Sequence, residues 1–151
     1  MKAENEDYFY ITPAGPVEEQ FTVKGSRFIA TLAPVSTEKQ VKALLSKVAE
    51  KYSDATHHTY AYRLGAGAVL IERASDDREP AGSAGAPMLQ VLQGRNISDV
   101  VIVGTRYFGG TKLGIGGLTR AYRDCVRYCL EQARMKKKEQ QVQLTLYFPF
   151  E

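Results

Sequence analysis

Apolar and polar positions near the N-terminus predict a hairpin followed by a helix. Residues 20–24 and 28–32 alternate or run apolar around a Gly25-Ser26 break, which is typical of two strands joined by a tight turn. Thr37 with Gln40 three residues later resembles a capping box, so a helix is expected to run from there to about residue 52. Its apolar residues recur at helical spacing and must cover a sheet: Val41, Leu44, Leu45, Val48 and Tyr52.

The middle of the chain predicts a second hairpin and a short helix. Residues 58–64 and 69–72 flank Gly65-Ala66-Gly67, whose glycines supply the unusual dihedrals of a turn. Pro87 suits the first turn of a helix that continues through Gln93 and ends at Gly94. Four strands and two helices are therefore expected before the C-terminal third.

The C-terminal third combines a buried strand, a long helix and a last strand. Residues 99–105 hold a continuous apolar run, which is typical of a central strand buried on both faces. A long helix is expected from Leu118, and an alternating pattern indicates the last strand. The positions that carry these two patterns are Leu118, Ala121, Tyr122, Cys125, Tyr128 and Cys129 for the helix, and Val142, Leu144 and Leu146 for the strand.

Hairpin strands with helices that share one face of the sheet indicate an α+β fold, a two-layer α/β sandwich, more than a doubly wound parallel sheet. A chain of 151 residues, 44% hydrophobic and 25% charged, fits one globular domain. No apolar run approaches the ~18 residues of a membrane span, and the N-terminus lacks the pattern of a signal peptide, so a cytoplasmic protein without a membrane partner is expected. Cys125 and Cys129, four apart on one helix face, are interpreted as reduced core thiols.

Residues 106–118, here called the glycine segment, join the buried strand to the long helix and hold five glycines between Gly109 and Gly117. The spacing matches neither GxxxxGK[ST] nor GxGxxG, so standard nucleotide binding is not indicated. Free amides at a helix end can bind an anion, with Arg106, Lys112 and Arg120 adding charged contacts. Alternatively, the glycines only permit a tight turn and close packing of the backbone.

Residues 75–87, here called the acidic loop, offer three carboxylates in a segment whose prolines and glycines define its course. The carboxylates with one of two adjacent histidines could bind a divalent metal. The favoured alternative is that the aspartates form side-chain-to-backbone turns and the glutamate pairs with an arginine, so neither a metal nor a cofactor is predicted. Successive strand residues point to opposite faces, so only one histidine can join a given site. The residues concerned are Asp76, Asp77, Glu79, His57 and His58.

The chain resembles the Impact/YigZ family over about residues 17–132, in four ordered blocks. The blocks are Lys24-Gly25-Ser26-Arg27-Phe28, His57-His58, residues 75–89 and residues 106–122. The resemblance implies the fold named for the second domain of a small-subunit ribosomal protein, which also occurs in domain IV of elongation factor G. This expectation agrees with the two-layer α+β fold inferred from the pattern.

The resemblance also implies a functional setting and a division of the chain. Eukaryotic Impact relatives regulate translation by competing for the activator of the general-control kinase. A proline-dipeptidase label carried by some bacterial relatives is not supported, because no full metallopeptidase ligand set can be assembled from these residues. Bacterial relatives usually continue into a small ferredoxin-like domain. Residues 1–140 are therefore interpreted as an Impact N-terminal-like domain, and residues 141–151 as its last strand or the start of a missing C-terminal domain.

Transferred residue by residue, the resemblance favours a binding surface. The leading hypothesis is a non-catalytic module associated with translation that recognises RNA or a ribosome-associated protein, with Tyr107 or Phe108 available for stacking. The alternative is an enzyme acting on a phosphorylated or amide small molecule, with an acidic-loop carboxylate as general base and an anion on the glycine segment. Lys112 and Arg120 are added to the transferred residues because of their charge, and the predicted binding residues are Arg27, His57, Asp76, Asp77, Glu79, Arg106, Tyr107, Gly109, Gly110, Lys112, Gly114, Gly116, Gly117 and Arg120.

Overall fold

The structure, a computed structural model, describes the backbone of residues 3–145 and the side chains of residues 9–139. It contains seven strands in two sheets and three α-helices within these residues, none of which could serve as a membrane span. In chain order the elements are β1 (Ala3–Pro13), β2 (Val17–Val23), β3 (Ser26–Pro34), α1 (Glu38–Lys51), β4 (His57–Leu64), β5 (Ile71–Ser75), α2 (Gly85–Gly94), β6 (Val100–Tyr107), α3 (Gly114–Gln132) and β7 (Met135–Thr145).

The main sheet has the strand order β2-β3-β6-β4-β5, with every neighbouring pair antiparallel. Both predicted hairpins are confirmed, and the apolar strand β6 is central, as its composition predicted. The register places Arg106 of β6 opposite Phe28 of β3 on one side and His57 of β4 on the other. The ends of three strands therefore meet around one arginine.

Helices cover both faces of this sheet. The α+β class is confirmed, and α2 and α3 share one face, whereas α1 packs on the opposite face. The reason lies in β6, which is apolar on both sides: Ile102 belongs to the core under α2 and α3, while Val101 and Val103 pack with Val41 of α1. The predicted start of α1 is confirmed, because the Thr37 hydroxyl accepts a hydrogen bond from the Gln40 amide at 3.2 Å.

Strands β1 and β7 form a separate two-stranded ribbon that the sequence pattern predicted only in part. The strands pair along their length, and the ribbon joins the domain where Ile11 N–H donates to the Asn96 carbonyl at 2.9 Å. The predicted last strand is present but begins earlier, at Met135, and Leu146 lies outside the described residues. The division of the chain at residue 140 stays a prediction.

The long helix also begins earlier than predicted, at Gly114 instead of Leu118. Gly116 and Gly117 therefore belong to its first turn, and the C-terminal part of the glycine segment is helical. Glycine is a poor helix former, so a propensity argument places the start too late.

Candidate functional site

A buried ion pair between the acidic loop and β6 forms the centre of the site. Arg106 Nε donates to Glu79 Oε2 at 2.7 Å and Nη2 donates to Oε1 at 2.8 Å, in a two-pronged arrangement. The side chains are only 8% and 1% exposed. Burial alone would lower the pKa of the Arg106 guanidinium, but the hydrogen bonds and charge of Glu79 outweigh it and raise that pKa. Glu79 thus pairs with an arginine, as the favoured interpretation of the acidic loop expected.

Tyr122 and His57 complete this centre. The fully buried Tyr122 hydroxyl donates to Glu79 Oε2 at 2.5 Å, and burial followed by the Glu79 contact raises the pKa of Tyr122. His57 Nε2 lies 3.3 Å from Glu79 Oε1, and its Nδ1 lies 2.8 Å from the Asp77 carbonyl oxygen. We call Glu79, Arg106, Tyr122 and His57 the buried network.

The local fold makes room for the network beneath α3. Gly104 lies in β6 two residues before Arg106, and a β-carbon there would come within 2.9 Å of the Tyr122 ring and 2.8 Å of Thr59 Oγ1. Only glycine leaves space for the tyrosine ring to pack against β6 at this point. The ring also packs edge-on against Phe28, with centroids 5.3 Å apart. Its hydroxyl is thereby directed at Glu79.

Asp76 holds the acidic loop together. Its carboxylate accepts hydrogen bonds from the amides of Gly82 at 2.8 Å, Ala84 at 3.1 Å and Gly85 at 2.9 Å. Burial would raise the pKa of Asp76, but these three amides stabilise the charged form and lower it. Asp76 therefore fixes the loop that leads into α2.

Asp77 joins the acidic loop to β4. Its Oδ2 accepts a hydrogen bond from the His58 amide at 2.6 Å, and its backbone has a left-handed φ of 42°. The His58 ring contacts Thr105 Oγ1 at 3.0 Å instead of Glu79, so one histidine only of the adjacent pair joins the network. Within the described part of the chain, no three His, Cys, Asp or Glu side chains are grouped to hold a metal ion.

Ser26 connects the network to the glycine segment. Its hydroxyl oxygen accepts hydrogen bonds from Arg106 Nη1 and from the Gly109 amide, both at 3.2 Å. Gly109 packs directly on the β2–β3 turn, because a β-carbon there would lie 2.0 Å from the carbonyl carbon of Gly25. Gly109 thus serves close packing, one of the two roles expected for these glycines. By contrast, Gly110 has a left-handed φ of +88°, and a β-carbon there would have no atom of the described residues within 4 Å.

A cleft of about 350 Å³ opens beside the network, and we call it the glycine-segment cleft. Glu79 and Arg106 form its floor, and Lys112 and Gly114 also line it. Its apolar lining residues are Pro80, Phe108, Leu113, Ile115 and Leu118.

The outer side chains of this cleft are accessible to solvent. Phe108 is 48% exposed and Ile115 is 64% exposed. Lys112 and Arg120 are also exposed, and the Arg120 guanidinium folds back towards Gly116 in the first turn of α3. Among the side chains of residues 9–139, no carboxylate lies within 4.0 Å of either cation.

Two of the predicted binding residues form a separate cluster on the other face of the sheet. The Arg27 guanidinium lies 4.5 Å from the centroid of the Tyr107 ring, and the Tyr107 hydroxyl donates to Asp54 Oδ1 at 2.7 Å. Neither Arg27 nor Tyr107 lines the glycine-segment cleft. The predicted residues that meet at the cleft are Glu79, Arg106, Lys112 and Gly114.

Sequence reasoning missed several residues of the site. The helical pattern places Tyr122 only in the apolar stripe of α3, although a buried tyrosine hydroxyl needs a hydrogen-bond partner and so signals a polar neighbour. Ser26 follows a turn glycine and carries no comparable signal. Leu113 and Ile115 lie among glycines, where no apolar period is visible.

Comparisons with known proteins agree with this architecture. A family model described as the Impact N-terminal domain matches residues 24–130. IMPACT family member YvyE of Bacillus subtilis (strain 168) is 46% identical over 115 residues, covering 76% of this chain and 52% of the relative. IMPACT family member YigZ of Escherichia coli (strain K12) is 38% identical over 138 residues, covering 91% of this chain and 68% of the relative. A crystal structure of a hypothetical protein superposes with a TM-score of 0.79 at 39% identity, covering 86% of this chain and 64% of that chain.

Proposed function

We propose that this chain, which belongs to the Impact N-terminal domain family, is a non-catalytic binding module associated with translation. It recognises RNA or a ribosome-associated protein through the glycine-segment cleft and the first turn of α3. One observation carries the proposal: the Asp76 and Glu79 carboxylates of the acidic loop are bound internally, whereas Phe108, Lys112 and Ile115 face solvent. The chain spans 52% of YvyE and 68% of YigZ, so the proposal concerns this part of such proteins.

The arrangement of carboxylates favours binding over the enzymatic alternative. A general base needs a free lone pair within hydrogen-bond reach of a substrate proton. The oxygens of Glu79 accept from Arg106 and Tyr122, and those of Asp76 accept from three backbone amides. Glu79 lines the cleft but is 1% exposed and already paired, so it is suited to holding the structure.

The accessible groups suit a partner that carries negative charge. Among the described residues, no side chain caps the start of α3, and its first turn holds no acidic residue, so its first amides and the positive end of its dipole suit an anionic group. Lys112 and Arg120 add two cations there, and the exposed Phe108 ring offers a surface for stacking or apolar contact.

Ribosome co-sedimentation of the whole chain tests the proposal. The wild-type chain is compared at low and moderate salt with a Lys112→Ala/Arg120→Ala variant. A Lys39→Ala/Lys42→Ala variant removes the same charge from exposed positions of α1, on the opposite face of the sheet. We expect salt-sensitive binding that is lost only in the Lys112→Ala/Arg120→Ala variant, because the interaction is charge-assisted and local.

Two outcomes would contradict the proposal. One is the absence of co-sedimentation at either salt concentration. The other is an equal loss of binding in both double variants, which would indicate general attraction between a basic protein and the ribosome. Arg106 is unsuitable for this experiment, because its removal leaves Glu79 buried without its cation and perturbs folding.

A further inference from the structure

We infer that the glycine-segment cleft docks a protein segment that carries one large apolar side chain flanked by acidic residues. The inference rests on the proposed function, because it names the partner class of the same surface. It depends on three features of the cleft: its apolar walls, its neutral floor and the sign of the charge at its rim.

The walls of the cleft are apolar and partly open. Phe108 and Ile115 are 48% and 64% exposed, although large apolar side chains are normally buried. They stand with Leu113 and Leu118 around a volume of about 350 Å³, which is at the small end of the range for ligand pockets. This space accommodates one anchoring side chain and the backbone next to it, which is how many linear segments bind.

The floor of the cleft carries little net charge. Arg106 would be the strongest phosphate ligand in the cleft, but its guanidinium is bound by the Glu79 carboxylate and the Ser26 hydroxyl. Lys112 is the one other cation among the described lining residues. RNA binding depends on several phosphate contacts, because each neutralised phosphate contributes to affinity. The cleft therefore favours a protein segment over an RNA strand.

The rim sets the charge of the partner. Lys112 lines the cleft, and Arg120 lies close by, folded towards Gly116. The only carboxylate among the described lining residues is that of Glu79, which is 1% exposed and paired with Arg106. Acidic residues beside the apolar anchor would complement the exposed cations, whereas a basic segment would be repelled.

Selection from a displayed library of random dodecapeptides tests the inference on the full chain. Peptides are selected on the wild type, and those that also bind Ile115→Asp are removed. This substitution lies at an exposed position and places a negative charge in the cleft, which should repel an acidic segment. We expect enriched peptides to share a Leu, Phe, Tyr or Trp beside Asp or Glu. By fluorescence anisotropy such a peptide should bind Ile115→Asp and Lys112→Glu about tenfold more weakly than the wild type.

Two matched variants serve as controls, Val69→Asp and Lys42→Glu. Val69 is 51% exposed and lies outside the cleft, and Lys42 lies on α1. Binding of the enriched peptide should be unchanged in both. The inference is overturned if no peptide is enriched on the wild type relative to Ile115→Asp. It is also overturned if the enriched peptides are basic or lack an apolar anchor.

A single-stranded oligouridylate provides the competing arm of the experiment. Tight, salt-dependent binding of this RNA that is lost in Lys112→Glu, without peptide enrichment, would overturn the inference and leave the translation-associated function in place. Peptide enrichment without ribosome co-sedimentation would support the docking of a protein segment in the cleft and contradict the proposed function. The two failures are therefore distinguishable.

Discussion

The buried network and the rim of the glycine-segment cleft are neighbours, yet they use charge in opposite ways. In the network, the side chains of Arg106 and Glu79 are 8% and 1% exposed and are bound by protein partners. At the rim, Lys112 and the 64% exposed Ile115 face solvent. A buried, satisfied network contributes to stability and geometry, whereas accessible unpaired groups are suited to binding. Substitutions should therefore separate the two regions.

Removing the cation of the network should lower the stability of the fold more than any other substitution proposed below. Arg106→Ala leaves the Glu79 carboxylate buried without its ion pair, and the free energy of unfolding is expected to fall by about 3–5 kcal/mol. Urea denaturation followed by circular dichroism measures this loss. Arg27→Ala is the matched control, because its guanidinium is exposed and stacks on Tyr107 at the surface. A loss for Arg106→Ala as small as the one expected for the exposed Arg27 would show that the ion pair does not stabilise the fold.

Removing one hydroxyl from the network should lower the free energy of unfolding by less than Arg106→Ala does. Tyr122→Phe keeps the buried ring but deletes the hydrogen bond to the Glu79 carboxylate, with an expected loss of about 1.5–3 kcal/mol. Tyr128→Phe on the same helix is the control, because Tyr128 is 38% exposed and its ring packs edge-on against Phe21. A Tyr122→Phe chain as stable as Tyr128→Phe would contradict this account of the network.

A single β-carbon should disturb the contact between the β2–β3 turn and the glycine segment. Gly109→Ala would place that carbon 2.0 Å from the Gly25 carbonyl carbon, so the backbone must shift, at an expected cost of about 1–3 kcal/mol. Gly94→Ala places no described atom within 4 Å of the added carbon and should be neutral or slightly stabilising. Thermal unfolding of the two variants gives the comparison. Similar destabilisation of both would argue against a required close approach at Gly109.

Asp76 provides a smaller, pH-dependent effect. The pKa of Asp76 is lower in the folded chain than in the unfolded chain. The charged carboxylate therefore contributes fully to stability above the ordinary carboxyl pKa of about 4. This contribution is lost as the pH falls through the pKa that Asp76 has in the folded chain. Asp76→Asn should lower the free energy of unfolding by about 1 kcal/mol near neutral pH, and the difference should narrow in acid. Denaturation across pH 3–7, roughly the carboxyl range, measures this trend. If the difference in the free energy of unfolding between the wild type and Asp76→Asn grows in acid, folding does not lower the pKa of Asp76.

The main sheet was predictable because its signals are local. The run from Val100 to Val103 marks a strand buried on both faces, and the Thr37 cap marks the start of α1. The face that α1 covers was not predictable, since an amphipathic stripe shows that a helix has one apolar side but not which face of a sheet it meets. Strand β1 was missed because its partner β7 is remote in sequence, so the pairing leaves no local pattern.

The site was predictable as a set of segments but not as a set of contacts. Charged residues in the acidic loop and glycines after β6 drew attention to the two regions that meet at the cleft. The pairing of Arg106 with Glu79, which removes that arginine from the ligand surface, depends on how the acidic loop crosses the end of β6. Sequence spacing does not encode that crossing.

Ribosome co-sedimentation of two folded variants tests the separation of network and rim most directly. The Lys112→Ala/Arg120→Ala variant should lose binding while its urea denaturation curve is unchanged, because both side chains are exposed. Tyr122→Phe, measured where it remains folded, should keep binding despite its lower stability. The opposite pattern, with binding lost in Tyr122→Phe and kept in the double variant, would contradict the separation of network and rim and place the functional groups in the buried network.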